Sequence, residues 1–337
     1  MTKIAIAGAT GFVGRHLLKS FEKDKSIQVR ALSRSFQEDK SFVKINQKND
    51  SNIEWVQCDL FSLIDLEKAL DQVDYAIYLV HSMLPTSKLV QAEFQDNDLI
   101  IADNFARTAK KKGVKHIIYI GGIIPKVEDL SLHLKSRLET EDTLRNYGIP
   151  VTSLRAGIII GKNGSSFNIL KKLVERLPVM ILPSWTQNAS KPVAIEDVIK
   201  SVHFCLGNKD SFNKEFDLGG NTFMTYQELL EETARELGHK RYFFKVPLFS
   251  PGLSKLWVSL ITNTPKNLVY PLIQSLKHEM IPDETKQLLI PNYKFKSFKE
   301  SLNAAIDKSD IHKRPSFGID IKGKTKYWGL DLEKRDV

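Results

Sequence analysis

Three glycines, each separated from the next by two residues, stand in Ala7-Gly8-Ala9-Thr10-Gly11-Phe12-Val13-Gly14, between an apolar run at residues 3–7 and an amphipathic pattern at residues 11–22. A glycine pattern is informative when it joins a strand to a helix in this way. Gly8 permits the tight turn. Gly11 lets the backbone approach a pyrophosphate whose charge is met by amides at the helix N-terminus, and Gly14 lets helix and strand pack closely. A tight turn with no ligand would use the same residue types, but the placement favours a dinucleotide-binding loop, with Thr10, Phe12 and Val13 as further contacts.

Beyond the loop, short apolar strands alternate with amphipathic helices. Strands are expected at residues 3–7, 28–33, 53–58, 74–80, 116–120 and 151–154, and helices at residues 11–22, 62–70, 93–112 and 134–146. Ser62 suits the N-cap of the second helix, and Lys110, Lys111, Lys112 and Gly113 read as the C-terminus of the third. Alternation of this kind calls for an α/β fold, a doubly wound parallel sheet of Rossmann type covered on both faces. Past Gly161 the regularity loosens, with a helix at residues 166–176 and an apolar turn or strand at residues 177–183. It returns with a capped helix at residues 196–206, a strand at residues 215–218, a turn at Gly219 and Gly220, and a helix at residues 225–237. The expected division is a dinucleotide-binding domain at residues 1–160, a substrate-side insertion at residues 161–190, a return to the first domain at residues 191–241, and a smaller, basic, mostly helical C-terminal region at residues 242–337.

Composition narrows the class. The chain of 337 residues is 42% hydrophobic and 26% charged, ordinary for a globular protein. Its two cysteines, Cys58 and Cys205, lie far apart in apolar segments, which supports neither a disulfide framework nor a cysteine-based zinc site. No His pair at i, i+4 and no His/Cys cluster points to a metal. The start of the chain lacks the pattern of a signal peptide, and no run of apolar residues is long enough to span a bilayer. A cytoplasmic location is the expectation. Of the net charge of +9, residues 240–337 supply most, with 18 Lys or Arg against 10 Asp or Glu. Scattered lysines of this kind suit a solvated surface better than a nucleic-acid interface.

The glycine spacing resembles the short-chain dehydrogenase/reductase superfamily, in its extended and atypical branches, which include epimerase/dehydratase-related proteins. The likeness extends over about residues 1–245. Asp59-Leu60 resembles the acidic pair that holds adenine, and Asp74-Tyr75-Ala76-Ile77-Tyr78-Leu79-Val80-His81-Ser82-Met83 resembles the fourth strand and its exit. Ser153-Leu154-Arg155-Ala156-Gly157, Val193-Ala194-Ile195-Glu196-Asp197-Val198 and Asp217-Leu218-Gly219-Gly220 come later, in order. The run from Tyr78 to Met83, with Gly121-Gly122, Leu134-Lys135-Ser136-Arg137 and Leu177-Pro178-Val179-Met180, is similar to NmrA-like and complex I accessory-subunit-like members. The resemblance implies NAD(P) binding, with Asp59, Leu60, Val80, His81, Gly121 and Gly157 around the cofactor.

Cofactor choice turns on the end of the second strand, where an NAD enzyme places an acid on the ribose 2′-hydroxyl. Here the sequence reads Arg30-Ala31-Leu32-Ser33-Arg34, with no carboxylate. Arg34 can pair with a 2′-phosphate and Ser33 can donate to it, so NADP(H) is expected ahead of NAD(H).

The superfamily's usual proton-transfer group is a Ser or Thr after the fifth strand and a Tyr-x-x-x-Lys on the next helix, the Lys lowering the Tyr pKa. Laid on residues 131–144, that motif puts His133 at the Tyr position and Arg137 at the Lys position, and Gly122 falls near the Ser. Arg137 can hold a ribose but cannot relay a proton. His133, with an unperturbed pKa near 6.5, can act as an acid, and a structural histidine is the alternative. His81, at the carboxyl edge of the sheet where ligands of such folds collect, is the other catalytic candidate.

One apolar stripe is unaccounted for. Leu253, Leu256, Trp257, Leu260 and Ile261 share a face of a helical pattern at residues 250–261. Packing over the domain or a substrate pocket buries it, and peripheral membrane contact beside the basic tail is the second way. The expected activity is an NADPH-dependent oxidoreductase on an apolar carbonyl, enone or quinone-like substrate. A redox sensor or scaffold that holds NADP(H) without turnover is the alternative.

Overall fold

In the computed structural model the described residues are 1–35, 51–81, 94–246, 275–307, 309, 311, 318–321 and 324–327, with residues 94, 95, 318–321 and 324–327 described as backbone only. The stripe at residues 250–261 lies outside them, as do Ser82, Met83 and the first residue of the expected helix at residues 93–112.

Seven parallel strands form one sheet: β1 (Thr2–Ala7), β2 (Ile27–Ser33), β3 (Ile53–Gln57), β4 (Tyr75–Tyr78), β5 (His116–Gly122), β6 (Val151–Ala156) and, after four short strands, β11 (Glu215–Leu218). Their order is β11-β6-β5-β4-β1-β2-β3. The chain runs outward through β2 and β3, then returns past β1 to β4, so winding reverses between β1 and β4. In open sheets of this kind the ligand crevice lies at that reversal, beyond the carboxyl ends of the strands.

Two apolar layers cover the sheet. On one face α1 (Phe12–Phe21) and α6 (Ile195–Cys205) bury Leu17, Leu18, Phe21, Val198, Val202 and Cys205 against β1, β2 and β6. On the other, α2 (Leu63–Ala69), α3 (Phe94–Lys111) and α4 (Leu132–Arg145) bury Leu66, Ala102, Phe105 and Leu144. Each fully buried Phe or Leu contributes roughly 1.5–3 kcal/mol relative to exposure. Ser62 accepts from the Asp65 amide and caps α2, as its sequence predicts. At the end of α3, Gly113 takes φ +74° with the Val114 amide on the Ala109 carbonyl, a left-handed termination. Lys111 and Lys112 there pair with Glu67 and Asp71.

A third cluster packs beside the sheet. It joins α5 (Ser165–Arg176), α7 (Tyr226–Glu236) and α8 (Phe298–Ala305) through Phe167, Val174, Leu229, Leu237 and Leu302. Capping boxes start α7, at Thr225 and Glu228, and α8, at Ser297 and Glu300. Residues 177–183 resolve as a strand, β8 (Val179–Leu182), paired in parallel with β13 (Tyr242–Lys245). The remaining short strands are β7 (Ile159–Ile160) with β10 (Val193–Ala194), β9 (Ala189–Ser190) with β12 (Met224–Thr225), and the hairpin β14 (Gly318–Ile321) with β15 (Lys324–Tyr327).

Two sequence expectations are corrected. The helix expected to carry a side-chain cap at residues 196–206 begins after Ala194 with none, and its first-turn Asp197 instead accepts from the Tyr293 hydroxyl and the Lys296 amide. The fourth strand ends at Tyr78, two residues before Val80.

Candidate functional site

Geometry separates the three loop glycines. Gly8 turns the chain at φ +85°, and a Cβ there would lie 3.1 Å from Leu79. A Cβ on Gly14 would lie 2.4 Å from the Gly8 carbonyl oxygen and 2.7 Å from the Ala9 Cα, so helix α1 packs on the loop only with glycine. Gly11 differs. It is exposed, and a Cβ there would meet only the Gly8 carbonyl oxygen, at 3.2 Å. No side chain caps α1 and no acid stands in its first turn, so its N-terminal amides and the positive end of its dipole remain for an anion. The space a Cβ would fill at Gly11, together with those amides, fits the pyrophosphate of a dinucleotide.

A cavity of about 440 Å³ opens from this loop and runs between the sheet edge and the third cluster, large enough for a small-molecule ligand. One wall holds Gly8, Gly11, Phe12, Val13 and Gly14. Opposite are apolar side chains of α5, α7 and neighbouring segments, among them Ile169, Leu173, Trp185, Leu230 and Met280. Its polar floor is His81, His133 and Arg137, beside Gly121, Gly122 and Gly157.

The polar floor is built from three elements. His81 leaves the end of β4, and α4 brings His133 and Arg137 over the sheet edge. Ser131 caps α4 by accepting from the Leu134 amide, which fixes where that helix begins. His81 Nδ1 lies 2.7 Å from Asp98 Oδ2, and His81 Nε2 lies 3.1 Å from His133 Nδ1. Burial, then the Arg137 charge, pushes the His81 imidazole down to about 4, against the pull of Asp98. His133 is held lower still by burial, Arg137 and His81. Both rings are therefore neutral near pH 7. Arg137 forms no ion pair among the described residues, leaving a half-buried guanidinium on the cavity wall.

Ten of the residues marked from the sequence line this one cavity: Gly8, Gly11, Phe12, Val13, Gly14, His81, Gly121, His133, Arg137 and Gly157. Thr10, Ser33, Arg34, Asp59, Leu60 and Val80 do not line it. Arg34 is exposed just past the carboxyl end of β2, with its carbonyl accepting from Gln57. The Ser33 hydroxyl donates to the Ser35 carbonyl. Asp59 accepts from the Phe61 amide in the turn before α2. The Leu60 carbonyl accepts from Asn104, and Val80 packs half-buried on the second core. Among the described residues no three His, Cys, Asp or Glu side chains gather as a metal site, and no helix is long and apolar enough to cross a membrane.

Asp98 carries no motif in the sequence. Its only mark is position: Asn97 and Asp98 fall on the buried side of α3, with Leu99 and Ile100 on the exposed side, so two polar residues stand where the helix presents its face to the core.

A family model described as the NmrA-like family matches residues 1–251. The chain is 31% identical over 151 residues to the auxiliary protein GraX of Staphylococcus aureus, a match covering 44% of this chain and 42% of that protein. It is 26% identical over 255 residues to sanguinarine reductase of Eschscholzia californica, covering 64% of this chain and 88% of that protein. Among solved structures, the triphenylmethane reductase of Citrobacter sp., complexed with NADP(H), superposes with a TM-score of 0.68 at 19% identity, over 90% of this chain and 100% of that one. That last likeness is one of fold.

Proposed function

The chain belongs to the NmrA-like family, and from that premise we propose that it is an NADP(H)-dependent oxidoreductase acting on an apolar carbonyl, enone or quinone-like substrate. One observation carries the reading: a single cavity joins an uncapped helix N-terminus behind Gly11 to a buried histidine pair, with an apolar wall facing both. The reductase activity in the name of the sanguinarine enzyme, and the NADP(H) in the triphenylmethane reductase structure, support it.

The roles follow from position. Gly8, Gly11 and the first-turn amides of Phe12 and Val13 would hold the pyrophosphate, and Gly121 and Gly157, which line the same cavity, would lie beside the nicotinamide end. Arg34, exposed and without an ion pair among the described residues, would reach a 2′-phosphate. When bound, the reduced nicotinamide supplies hydride. Ile169, Leu173, Trp185 and Leu230 would exclude water and accept an apolar substrate. His133 would hold the proton that the substrate oxygen needs, and the Arg137 charge would stabilise negative charge developing on it.

A second reading has its own support. The Ser, Tyr and Lys positions of the superfamily carry Gly122, His133 and Arg137, and the name of GraX is that of an auxiliary protein, so binding without turnover is the alternative. Single-turnover stopped flow separates them. NADPH-loaded protein is mixed with a panel of quinones and aromatic aldehydes, and absorbance of the reduced nicotinamide is followed. The reductase reading expects oxidation faster than the protein-free background. Binding of NADPH with no oxidation by any of them favours the sensor.

A further inference from the structure

We propose that Asp98 positions His81 and His133 as a two-imidazole proton relay whose open end is His133 Nε2 on the cavity wall. The proposal rests on the reductase reading and supplies its missing acid.

The chain of contacts fixes proton positions. Asp98 Oδ2 takes the His81 Nδ1 contact at 2.7 Å and lies 3.4 Å from the Ser136 hydroxyl, which donates to it. The two side chains of the Asp98–His81 pair are only 3% and 7% exposed. An ionised carboxylate has no proton to give, so His81 Nδ1 must donate. Neutral His81 then carries its lone pair on Nε2, and the 3.1 Å contact requires His133 Nδ1 to donate in turn. One lone pair is left over, on His133 Nε2, which has no hydrogen-bond partner among the described residues. Three groups therefore transmit the carboxylate's demand to a ring on the cavity wall.

Adding one proton reverses the order. As His133 Nε2 takes a proton, His133 Nδ1 releases its own to His81 Nε2, and the positive charge settles on His81 beside Asp98. His133 is then neutral and presents an N–H to the cavity. In reduction the carbonyl carbon receives hydride with its electron pair, the carbonyl π bond breaks, and the oxygen takes the His133 Nε2 proton. His133 Nδ1 recovers a proton from His81 Nε2, and the relay is back in its neutral state, to be reloaded from water. The gain of one hydride and one proton balances the conversion of carbonyl to alcohol.

The groups facing the pair set when it loads. Asp98 from α3 favours the charged state. Arg137 from α4 opposes it, and among the described residues the uncharged Tyr78 and Tyr119 hydroxyls, from β4 and β5, lie within electrostatic reach of Asp98. Burial opposes it too. The loaded form thus grows as the pH falls below the ordinary histidine range, and removal of the Asp98 charge moves loading to still lower pH.

Long-range 1H–15N NMR of the imidazoles tests this on the full chain without cofactor. In the wild type near pH 7, His81 and His133 are expected as Nδ1–H tautomers, assigned by loss of signal in His81→Gln and His133→Gln. In Asp98→Asn the His81 titration midpoint is expected to fall by at least one pH unit. Single-turnover NADPH oxidation is expected to slow on the order of 100-fold, with NADPH affinity unchanged and the rise of the rate toward low pH displaced downward with the titration. An Nε2–H tautomer at His81 in the wild type overturns the relay, and so does a variant whose titration and pH profile match the wild type. A protein that never oxidises NADPH overturns the reductase reading alone, since tautomers and titration still decide the relay.

Discussion

Gly11 and Gly14 are three residues apart and answer to different constraints. At Gly14 a methyl group would meet backbone on both the Gly8 and Ala9 sides, at 2.4 and 2.7 Å, and backbone cannot rotate away. Gly14→Ala is expected to destabilise the chain by more than about 2 kcal/mol, on the scale of over-packing costs, read as a lower urea midpoint without cofactor. Gly11→Ala meets one carbonyl oxygen at 3.2 Å, so its urea midpoint should stay near the wild type while NADPH affinity drops at least tenfold. Equal loss of stability in both variants would show that Gly11 serves packing rather than ligand. Arg34 supports a finer prediction. A charge-assisted bond to a 2′-phosphate contributes about 1.5–3 kcal/mol, so Arg34→Ala should weaken NADPH by about 10- to 100-fold and leave NADH unchanged. Unchanged NADPH affinity in a calorimetric titration would remove the NADP(H) preference. Gly8, Gly11, Gly14, His81 and His133 were legible because a motif or a resemblance fixed their neighbours. Asp98 was not, because its partner His81 lies 17 residues away and no local pattern ties them.

At the scale of elements, periodicity located the strands of the sheet and the helices that cover it to within a few residues, because each element buries one face and shows it in its spacing. Pairing between elements was another matter. The parallel contact of β8 with β13 joins Val179 to Tyr242 and Leu182 to Lys245, and nothing near either strand announces the other. The α4 helix shows a further limit. Its inward face carries Ser136, Thr140 and Glu141, all buried, so hydrophobic spacing understates it. The reason is a buried ion pair. Arg155 on β6 gives Glu141 two hydrogen bonds, at 2.9 and 2.8 Å, and reaches Glu215 on β11 at 3.1 Å. Lys286, in the turn packed beside β11, also pairs with Glu215. Deleting one partner of such a pair leaves the other buried and uncompensated, at about 3–5 kcal/mol. Arg155→Ala should therefore lower the unfolding free energy by roughly that amount, the Arg145 contact to Glu141 retaining part of the compensation. A loss under about 1 kcal/mol in urea denaturation would mean that the network adds no stability.

Across the whole molecule the buried histidines set a common response to acid. His81 and His116 are pushed down to about 4, and His133 is lowered further, burial being the first cause in each. His116 shows the structural version. It is fully buried, its Nδ1 accepts from the Gly207 amide and its Nε2 donates to Thr152, so both nitrogens are committed in the neutral form. In the unfolded chain each imidazole returns to about 6.5. Below that pH the unfolded state binds protons that the folded state refuses, so the stability these groups contribute is present above pH 6.5 and is lost as the pH falls toward 4. Each contributes a slope of up to about 1.4 kcal/mol per pH unit within its window. Asp197 and Asp217, raised by burial, act the other way, taking up protons in the folded state before the unfolded chain does as the pH falls toward their ordinary value of 3.8. Urea midpoints should fall steadily from pH 7 to pH 5. His116→Gln should be less stable at pH 7 yet lose less on acidification, since one proton uptake is gone. A midpoint flat between pH 7 and 5 would contradict the burial of neutral imidazoles on which both the fold around His116 and the relay at His81 depend.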